Sequence, residues 1–211
     1  MRVHLVRHGR VDNPERIYYG RLDGFPLCER GRAQADRAGA WLAAHTHGSI
    51  LLVSSPLWRT RQTAEAIRAA VGAQEPAIEP RVIERATWRE GLPVGRRLHC
   101  WVARFANPRS RQRHEPPDAV VARMRAAVLD WAREARERDP SLEVVIVSHE
   151  TPIRLCRLAF ERGLDPRSTR LPLRLLPWRS LAGPCALSSI TTLHLEGERC
   201  VDISYAEPAS G

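Results

Sequence analysis

The sequence predicts an α/β fold in which a mostly parallel sheet presents the functional residues at one edge. Three short apolar runs have the length and β-branched content of buried strands, and each stops at polar residues. They lie at residues 2–6, 50–53 and 144–147. Ligands of open α/β sheets bind outside the carboxyl ends of the strands. The polar residues that follow the three runs are therefore the candidate functional residues.

The length of the chain suits one α/β core. It has 211 residues, of which 43% are hydrophobic, and this favours a single domain over residues 1–211 with insertions around 85–117 and 163–187. No apolar run approaches the roughly 18 residues that a transmembrane helix needs. The first residues form a strand pattern rather than a secretion signal. We therefore expect an unexported, cytoplasmic protein that does not contact a membrane.

The charge of the chain favours anionic ligands. The formal net charge is +9, and all 33 basic residues are arginine, which gives a net positive field. The cluster Arg109-Ser-Arg-Gln-Arg113 is the best candidate for a nucleic-acid contact, but it has no interleaved aromatic residue for base stacking. We interpret it as a solvated loop and regard nucleic acid as an unlikely partner.

The cysteine and histidine spacings predict neither a disulfide framework nor a metal site. The five cysteines are scattered without a C-x-x-C pair, and their number is odd. His45 and His47 lie close together, but no cysteine or carboxylate stands at ligand spacing from them. We expect mostly buried thiols, no bound metal and no cofactor.

The first half of the chain alternates loop, helix and strand. A loop rich in turn residues occupies positions 10–29, and an alanine-rich helix follows from Glu29 to about Ala44. After the strand at 50–53, Ser55 suits an N-cap and Pro56 the first helical position, which predicts a helix to about Val71. Arg59 then lies in the first turn, where free backbone N–H groups favour an anion.

The second half continues the pattern with less regular connections. Its predicted elements are a short strand over 79–84, a turn at 88–91, a helix over 118–138, a strand over 144–147, a helix from a Thr151 cap to about Arg162, and an edge strand over 189–195 paired with 201–205. The strand at 144–147 runs directly into Ser148-His149.

The residues at the three strand ends suit phosphate chemistry. In Arg7-His8-Gly9 the histidine can act as a nucleophile, the arginine can bind an anion bidentately, and the glycine allows the backbone to approach that anion. Each feature has a simpler interpretation, since the tripeptide can occur by chance, Arg59 can be a solvated helix residue, and His149 can be structural. Their arrival at one edge of one sheet favours a shared site.

The ordered motifs resemble those of the histidine phosphatase superfamily, which includes the cofactor-dependent phosphoglycerate mutases. They cover most of the chain and comprise Leu5-Val-Arg-His-Gly9, Tyr19-Gly20-Arg-Leu-Asp23, Pro26-Leu27, Gly31-Arg-Ala-Gln-Ala35, Ser54-Ser-Pro-Leu57, Arg59-Thr60, Gln62-Thr63-Ala64 and Val147-Ser-His149. The resemblance implies a three-layer α/β/α sandwich of the phosphoglycerate mutase-like type.

The resemblance also implies a set of site residues. His8 would become a phosphohistidine, while Arg7, Arg59 and His149 would surround the phosphoryl oxygens. Asn13 and the backbone around Tyr19 and Gly20 would complete the substrate-binding pocket. Glu84 would be the proton donor, with Glu90 and Glu115 as lesser candidates. No metal is required, because fixed cations can stabilise the charge that spreads over the phosphoryl oxygens.

One departure from the family pattern concerns the residue after the second histidine. Many relatives have glycine there, whereas this chain has Glu150, a carboxylate that would repel a phosphate if it pointed inward. It would either turn away or contact an amine or hydroxyl of the substrate.

The resulting hypothesis is a metal-independent phosphatase that hydrolyses a small phosphorylated metabolite through phospho-His8. The first alternative is a mutase, which is disfavoured because His149-Glu-Thr-Pro replaces the His-Gly-Asn-Ser of the mutases and the chain is shorter. The second is an inactive member that binds a phosphorylated ligand or nucleic acid. The substrate and the oligomeric state stay open, with a homodimer among the possibilities.

Overall fold

The computed structural model describes residues 1–95, 114–164 and 182–209. Within them the strands are β1 (Arg2–Arg7), β2 (Ile50–Ser54), β3 (Ala77–Ile78), β4 (Glu143–Ser148), β5 (Ile190–Glu196) and β6 (Arg199–Ala206). The α-helices are α1 (Glu29–His45), α2 (Trp58–Val71), α3 (Pro117–Arg138) and α4 (Glu150–Glu161), and a 3₁₀ helix covers Pro80–Val82.

The described strands form one sheet in the order β3-β2-β4-β1-β5-β6. The pairs β1–β4, β2–β4 and β2–β3 are parallel, whereas β5 pairs antiparallel with both β1 and β6. This arrangement confirms the predicted mostly parallel sheet. In register, Arg7 lies opposite Ser148 and Ser54 opposite Val147, so the three central strands end at one edge.

Helices cover both faces of the sheet, as the α/β/α prediction requires. Successive strand residues point to opposite faces, so Val3 and Leu5 pack with residues of α3 and α4, while Val6 packs with residues of α1 and α2. All six residues of β4 are buried, as expected for a central strand covered on both sides.

Two predicted helix starts are wrong by a few residues. Helix α2 begins at Trp58 with Leu57 as its N-cap, and α4 begins at Glu150 with His149 as its N-cap. Ser55 does not cap a helix because its hydroxyl is engaged by His149. Pro152 is tolerated as the third residue of α4, since the first-turn N–H groups have no intrahelical acceptor.

Two strand predictions also need correction. The segment 79–84 is not a strand, because Pro80 lacks an N–H and the Glu79 carboxylate accepts the backbone N–H of Arg81 at 2.9 Å, which starts a 3₁₀ turn. Strand β5 is not an edge strand, because it lies between β1 and β6. The alternation of polar and apolar residues in β5 suggests an exposed face, but Thr191 and Thr192 are buried in spite of their hydroxyl groups.

The cysteines and the length of the apolar helices are two further subjects of prediction. Among the described cysteines, Cys156 and Cys185 are buried, Cys28 and Cys200 are partly buried, and all four are free thiols. Cys100 lies outside the described residues. No helix in the described ranges is long and apolar enough to cross a membrane.

Candidate active site

His8 follows β1 directly and is almost completely buried. Its backbone N–H donates to the Ser148 carbonyl at 3.1 Å, which fixes it beside the end of β4. Its Nδ1 lies 2.8 Å from the Gly9 carbonyl oxygen, and because a carbonyl can only accept, Nδ1 carries the proton. Burial, then the charges of Arg59 and Arg7, hold the pKa of His8 well below its ordinary value. His8 is therefore a neutral imidazole with a lone pair on Nε2.

Arg59 is a buried cation in the first turn of α2, with 1% of its surface exposed. Its Nη2 donates to the Gly20 carbonyl at 2.6 Å and to Nδ1 of His149 at 3.2 Å. Its guanidinium carbon lies 4.9 Å from the centre of the Tyr19 ring, a cation–π distance. Buried in this way, the guanidinium is held in one orientation.

His149 lies across from His8, with 5.2 Å between the ring centres. An arginine can only donate, so Nδ1 of His149 accepts from Arg59, and Nε2 donates to the Ser55 hydroxyl at 2.8 Å. Burial, and next the charge of Arg59, lower the pKa of His149 well below its ordinary value. Both ring nitrogens are thus engaged, and in this structure His149 orients Arg59.

Arg7 is held at both ends of its guanidinium. Nη1 donates to the Cys185 carbonyl at 2.6 Å, and Nη2 forms an ion pair with Glu150 Oε2 at 2.8 Å. In the described part of the chain, the Nε atoms of Arg7 and Arg59 are both buried without a hydrogen-bond partner. Buried N–H groups of this kind are costly unless an anion accepts from them. The site therefore has the electrostatics of an oxyanion-binding pocket.

Glu84 and His8 line the same cleft, which has a volume of about 350 Å³. Desolvation raises the pKa of Glu84, although the Arg85 amide and the charges of Arg59 and Arg7 oppose it. A carboxyl group of raised pKa can act as a proton donor.

The other two acid candidates have different surroundings. Glu115 forms ion pairs with Arg21 and Arg123. Burial acts to raise the pKa of Glu115, but the hydrogen bonds and charges of these arginines hold it below its ordinary value. Glu90 accepts backbone N–H groups of Arg21 and Thr87. In the described part of the chain, neither lines the cleft that holds His8.

The loop residues predicted to bind substrate lie around this cleft. Tyr19 and Gly20 line it, and Gly20 has a φ of +42°, a backbone conformation that favours glycine. Asn13 also lines the cleft, but its Oδ1 and Nδ2 bond the backbone of Ile17 at 3.1 and 3.0 Å. Its amide closes the loop, and its second N–H is the donor that it can still offer to a phosphate.

Gly9 has a different local role from the one expected. A side chain there would collide with the carbonyl of Gly31, and its N–H donates to the Thr63 hydroxyl at 3.2 Å. Gly9 therefore allows the loop to pack against α1, rather than presenting its N–H to an anion.

Glu150 does not turn away from the site. It lines the cleft, and besides Arg7 it contacts Arg154 Nη1 at 3.3 Å. Its charge is thus balanced by two arginines, which explains how a carboxylate is accommodated beside a phosphate-binding residue.

Several contributors were not identified from the sequence. The sequence suggests Ser55 as a helix cap, although its position directly after β2, beside the strand that leads into His149, also suits a site residue. Arg21 and Arg123 contact the backbone of Glu84 and have no distinguishing pattern in an arginine-rich chain. The cluster at 109–113 lies outside the described residues.

A sequence comparison gives the family. The profile of the histidine phosphatase superfamily (branch 1) matches residues 3–182. An uncharacterized protein of Mycobacterium tuberculosis strain H37Rv, Rv0525, is 36% identical over 218 residues, covering 99% of this chain and 96% of that protein. A probable phosphoglycerate mutase of Citrobacter koseri, GpmB, is 45% identical over 73 residues, covering 34% of this chain and 33% of that protein.

The solved structures include a mycobacterial glucosyl-3-phosphoglycerate phosphatase, Rv2419c, in complex with VO3. It has 27% sequence identity and a TM-score of 0.69, and the match covers 92% of each chain. The matched profile and the shared fold agree with the geometry around His8. This chain belongs to the histidine phosphatase superfamily.

Proposed function

We propose that the protein is a metal-independent phosphatase that hydrolyses a small phosphomonoester through a phosphohistidine on His8. The observation that carries the proposal is a neutral imidazole whose Nε2 has a lone pair, close to two buried arginine Nε atoms that have no partner among the described residues. A carboxyl group of raised pKa lines the same cleft. These are the nucleophile, the anion cage and the acid of a double displacement.

In the first step, Nε2 of His8 attacks phosphorus and the ester P–O bond breaks. Glu84 gives its proton to the departing oxygen, so that the alcohol leaves neutral and Glu84 becomes a carboxylate. In the second step, water attacks the phosphohistidine, Glu84 takes a proton from that water, and the P–N bond breaks. Inorganic phosphate leaves, and both residues return to their starting states.

Arg7 and Arg59 stabilise the charge that develops on the phosphoryl oxygens. Their orientations are set before substrate arrives, by the Cys185 carbonyl and Glu150 for Arg7, and by the Gly20 carbonyl and His149 for Arg59. Preorganised donors of this kind are typically worth about 3 kcal/mol each in the transition state. In this proposal the two cations do the work that a metal ion does in other phosphatases.

The comparisons support hydrolysis of a small metabolite. The solved relative is a phosphatase by name, and its structure is a complex with VO3. A cleft of about 350 Å³ suits a small phosphorylated molecule. We propose a cytoplasmic metabolite phosphatase that needs neither a membrane nor nucleic acid.

Hydrolysis of p-nitrophenyl phosphate in the presence of EDTA tests the proposal. Wild-type protein should turn over the substrate, His8→Ala should be inactive, and His194→Ala, a change on β5 away from the cleft, should keep full activity. Activity that requires a divalent cation, or that survives in His8→Ala, would refute the proposed chemistry.

The mutase alternative is supported by the local match to a probable phosphoglycerate mutase. A coupled assay for conversion of 3-phosphoglycerate to 2-phosphoglycerate separates the two. Rapid isomerisation with little release of phosphate would replace the phosphatase proposal with a mutase.

A further inference from the structure

The backbone that carries Glu84 has no regular secondary structure of its own. Residues 84–87 lie between the 3₁₀ helix Pro80–Val82 and the turn at 88–91, outside every strand and helix. A proton donor must be held within hydrogen-bond reach of the oxygen that it protonates. Some other part of the molecule must therefore fix this segment.

Two arginines from distant parts of the chain donate to the carbonyl oxygen of Glu84. Nε of Arg21 lies 2.6 Å from it, and Nη2 of Arg123, on α3, lies 3.3 Å from it. Arg123 also donates through Nη1 to the carbonyls of Arg81 and Ile83, at 2.6 and 2.7 Å. One guanidinium thus holds three carbonyls in the segment that leads into Glu84.

Glu115 joins the two arginines to each other. Its Oε2 accepts from Arg21 Nη2 at 2.7 Å and from Arg123 Nη2 at 2.9 Å, while Oε1 accepts from Arg123 Nε at 2.7 Å. Its backbone N–H donates to the Ala86 carbonyl at 3.0 Å. Bidentate pairs of this kind have a well-defined geometry, so the three side chains form a clamp around the backbone on either side of Glu84.

The clamp is continuous with the phosphate-binding side of the cleft. Arg21 directly follows Gly20, whose carbonyl accepts from Arg59 at 2.6 Å. The backbone N–H of Arg21 donates to Glu90 at 3.2 Å. The loop at 20–21 therefore links the cation of the anion cage to the residue that would donate the proton.

We propose that Arg21, Arg123 and Glu115 are positioning residues that hold Glu84 at the distance required for proton donation to the leaving oxygen. This inference rests on the proposed phosphatase activity. The side chains of the three residues bond the backbone that carries Glu84 and one another, so in this proposal they act through Glu84 and not on the substrate.

The chemistry of the leaving group separates this role from a general effect on stability. An alkoxide is a poor leaving group and needs a proton, whereas p-nitrophenolate is stable enough to leave without one. Displacement of the Glu84 carboxyl group therefore slows the hydrolysis of an alkyl phosphate more than that of p-nitrophenyl phosphate. Partial unfolding would slow both reactions by the same factor.

The test compares Glu115→Gln with Glu134→Gln, which removes a carboxylate from an exposed ion pair with Arg138 on α3. Both variants and the wild type are assayed with glycerol phosphate and with p-nitrophenyl phosphate. We expect Glu115→Gln to lose about 10-fold to 100-fold more kcat/KM on glycerol phosphate than on p-nitrophenyl phosphate. For Glu134→Gln, the ratio of kcat/KM on glycerol phosphate to kcat/KM on p-nitrophenyl phosphate should equal that of the wild type.

A second variant, Arg21→Gln, tests the inference even if Glu115→Gln does not fold. Arg21 is one-third exposed, so Arg21→Gln should fold, and it should show the same selective loss on glycerol phosphate. In a Glu84→Gln background, Glu115→Gln should cause no further selective loss, because its effect is transmitted through the Glu84 carboxyl.

Equal losses on the two substrates, or a full additional loss in the Glu84→Gln background, would overturn the inference. Failure of the underlying phosphatase proposal has a different outcome. In that case the wild type would show no His8-dependent hydrolysis of either substrate.

Discussion

Ser55 and His149 are joined by a hydrogen bond of 2.8 Å between the serine Oγ and the histidine Nε2. Both are fully buried, and they are brought together because β2 and β4 are parallel neighbours that end at the same edge. Through its other nitrogen, His149 accepts from Arg59. The serine therefore sets the orientation of a ring that in turn orients a cation of the site.

Ser55→Ala should destabilise the protein and reduce its activity. The change leaves the Nε2–H of His149 buried without an acceptor, which costs about 1 to 3 kcal/mol in the free energy of unfolding. We expect kcat/KM to fall about tenfold, because Arg59 loses part of its positioning. Urea unfolding and steady-state kinetics measure the two effects. A result no different from Ser204→Ala, an exposed change on β6, would show that the bond has no such role.

Arg59→Lys should impair phosphate recognition far more than Arg61→Lys, a change two residues away on the exposed side of α2. Arg59 contacts both Gly20 and His149 through Nη2, which leaves its other N–H groups for a phosphoryl oxygen, whereas the single ammonium group of lysine would have to make all of these contacts. We expect a loss of about 100-fold in kcat/KM and a comparable weakening of inhibition by vanadate. Similar inhibition constants for the two variants would argue against a role of Arg59 in binding the phosphoryl group.

The pH dependence of kcat/KM for glycerol phosphate should be bell-shaped. Activity should fall at low pH as His8 becomes protonated, and this limb lies below the ordinary value of 6.5 because burial and the nearby arginines lower the pKa of His8. Activity should fall at high pH as Glu84 loses its proton, and this limb lies above 4.5 because desolvation raises the pKa of Glu84.

In Glu84→Gln the high-pH limb should disappear while the low-pH limb remains. A low-pH limb centred at or above 6.5 in the wild type would contradict the proposed state of His8.

Glu143→Gln should destabilise the opposite end of the sheet in a pH-dependent manner. Burial acts to raise the pKa of Glu143, but hydrogen bonds from His4, the His47 amide and Arg2 outweigh it and lower the pKa to about 2. A lowered carboxyl pKa adds stability that is complete above the unfolded-state value and is lost as the pH falls toward about 2.

The difference in unfolding free energy between wild type and Glu143→Gln should therefore be about 2 kcal/mol at neutral pH. It should shrink steadily below the ordinary carboxyl value of 4.5. Urea unfolding over a pH series measures this difference in free energy. A difference that does not change with pH would exclude an ionised Glu143 that is paired in the folded protein.

Much of the fold was predictable because its strongest patterns are local. Strands β1, β2 and β4 are short apolar runs, and α1 and α3 have clear helical periodicity. Because parallel strands end at a common edge, the same patterns bring His8 and His149 together, with Arg59 in the first turn of α2. The place of β5 could not be predicted in this way, because its hydroxyl groups are buried and give it the alternation of an edge strand.

Long-range side-chain partners could not be predicted. The clamp joins Arg21, Glu84, Glu115 and Arg123, and the bond from Arg21 to Glu115 spans 94 positions in the sequence. No local period relates such residues, and in a chain with 33 arginines a further arginine is not informative. The role of Ser55 depends in the same way on the register between β2 and β4, which the sequence does not state.

The measurement that tests the account most directly is the isolation of the phosphorylated enzyme. Wild-type protein is mixed rapidly with p-nitrophenyl phosphate, quenched in base and digested, and the peptide that contains His8 is examined by mass spectrometry. We predict one phosphoryl group on His8, labile in acid, stable in base and absent from His8→Ala. Turnover with no phosphoryl group on His8 at any time point before steady state, or with the group on another residue, would contradict the central claim.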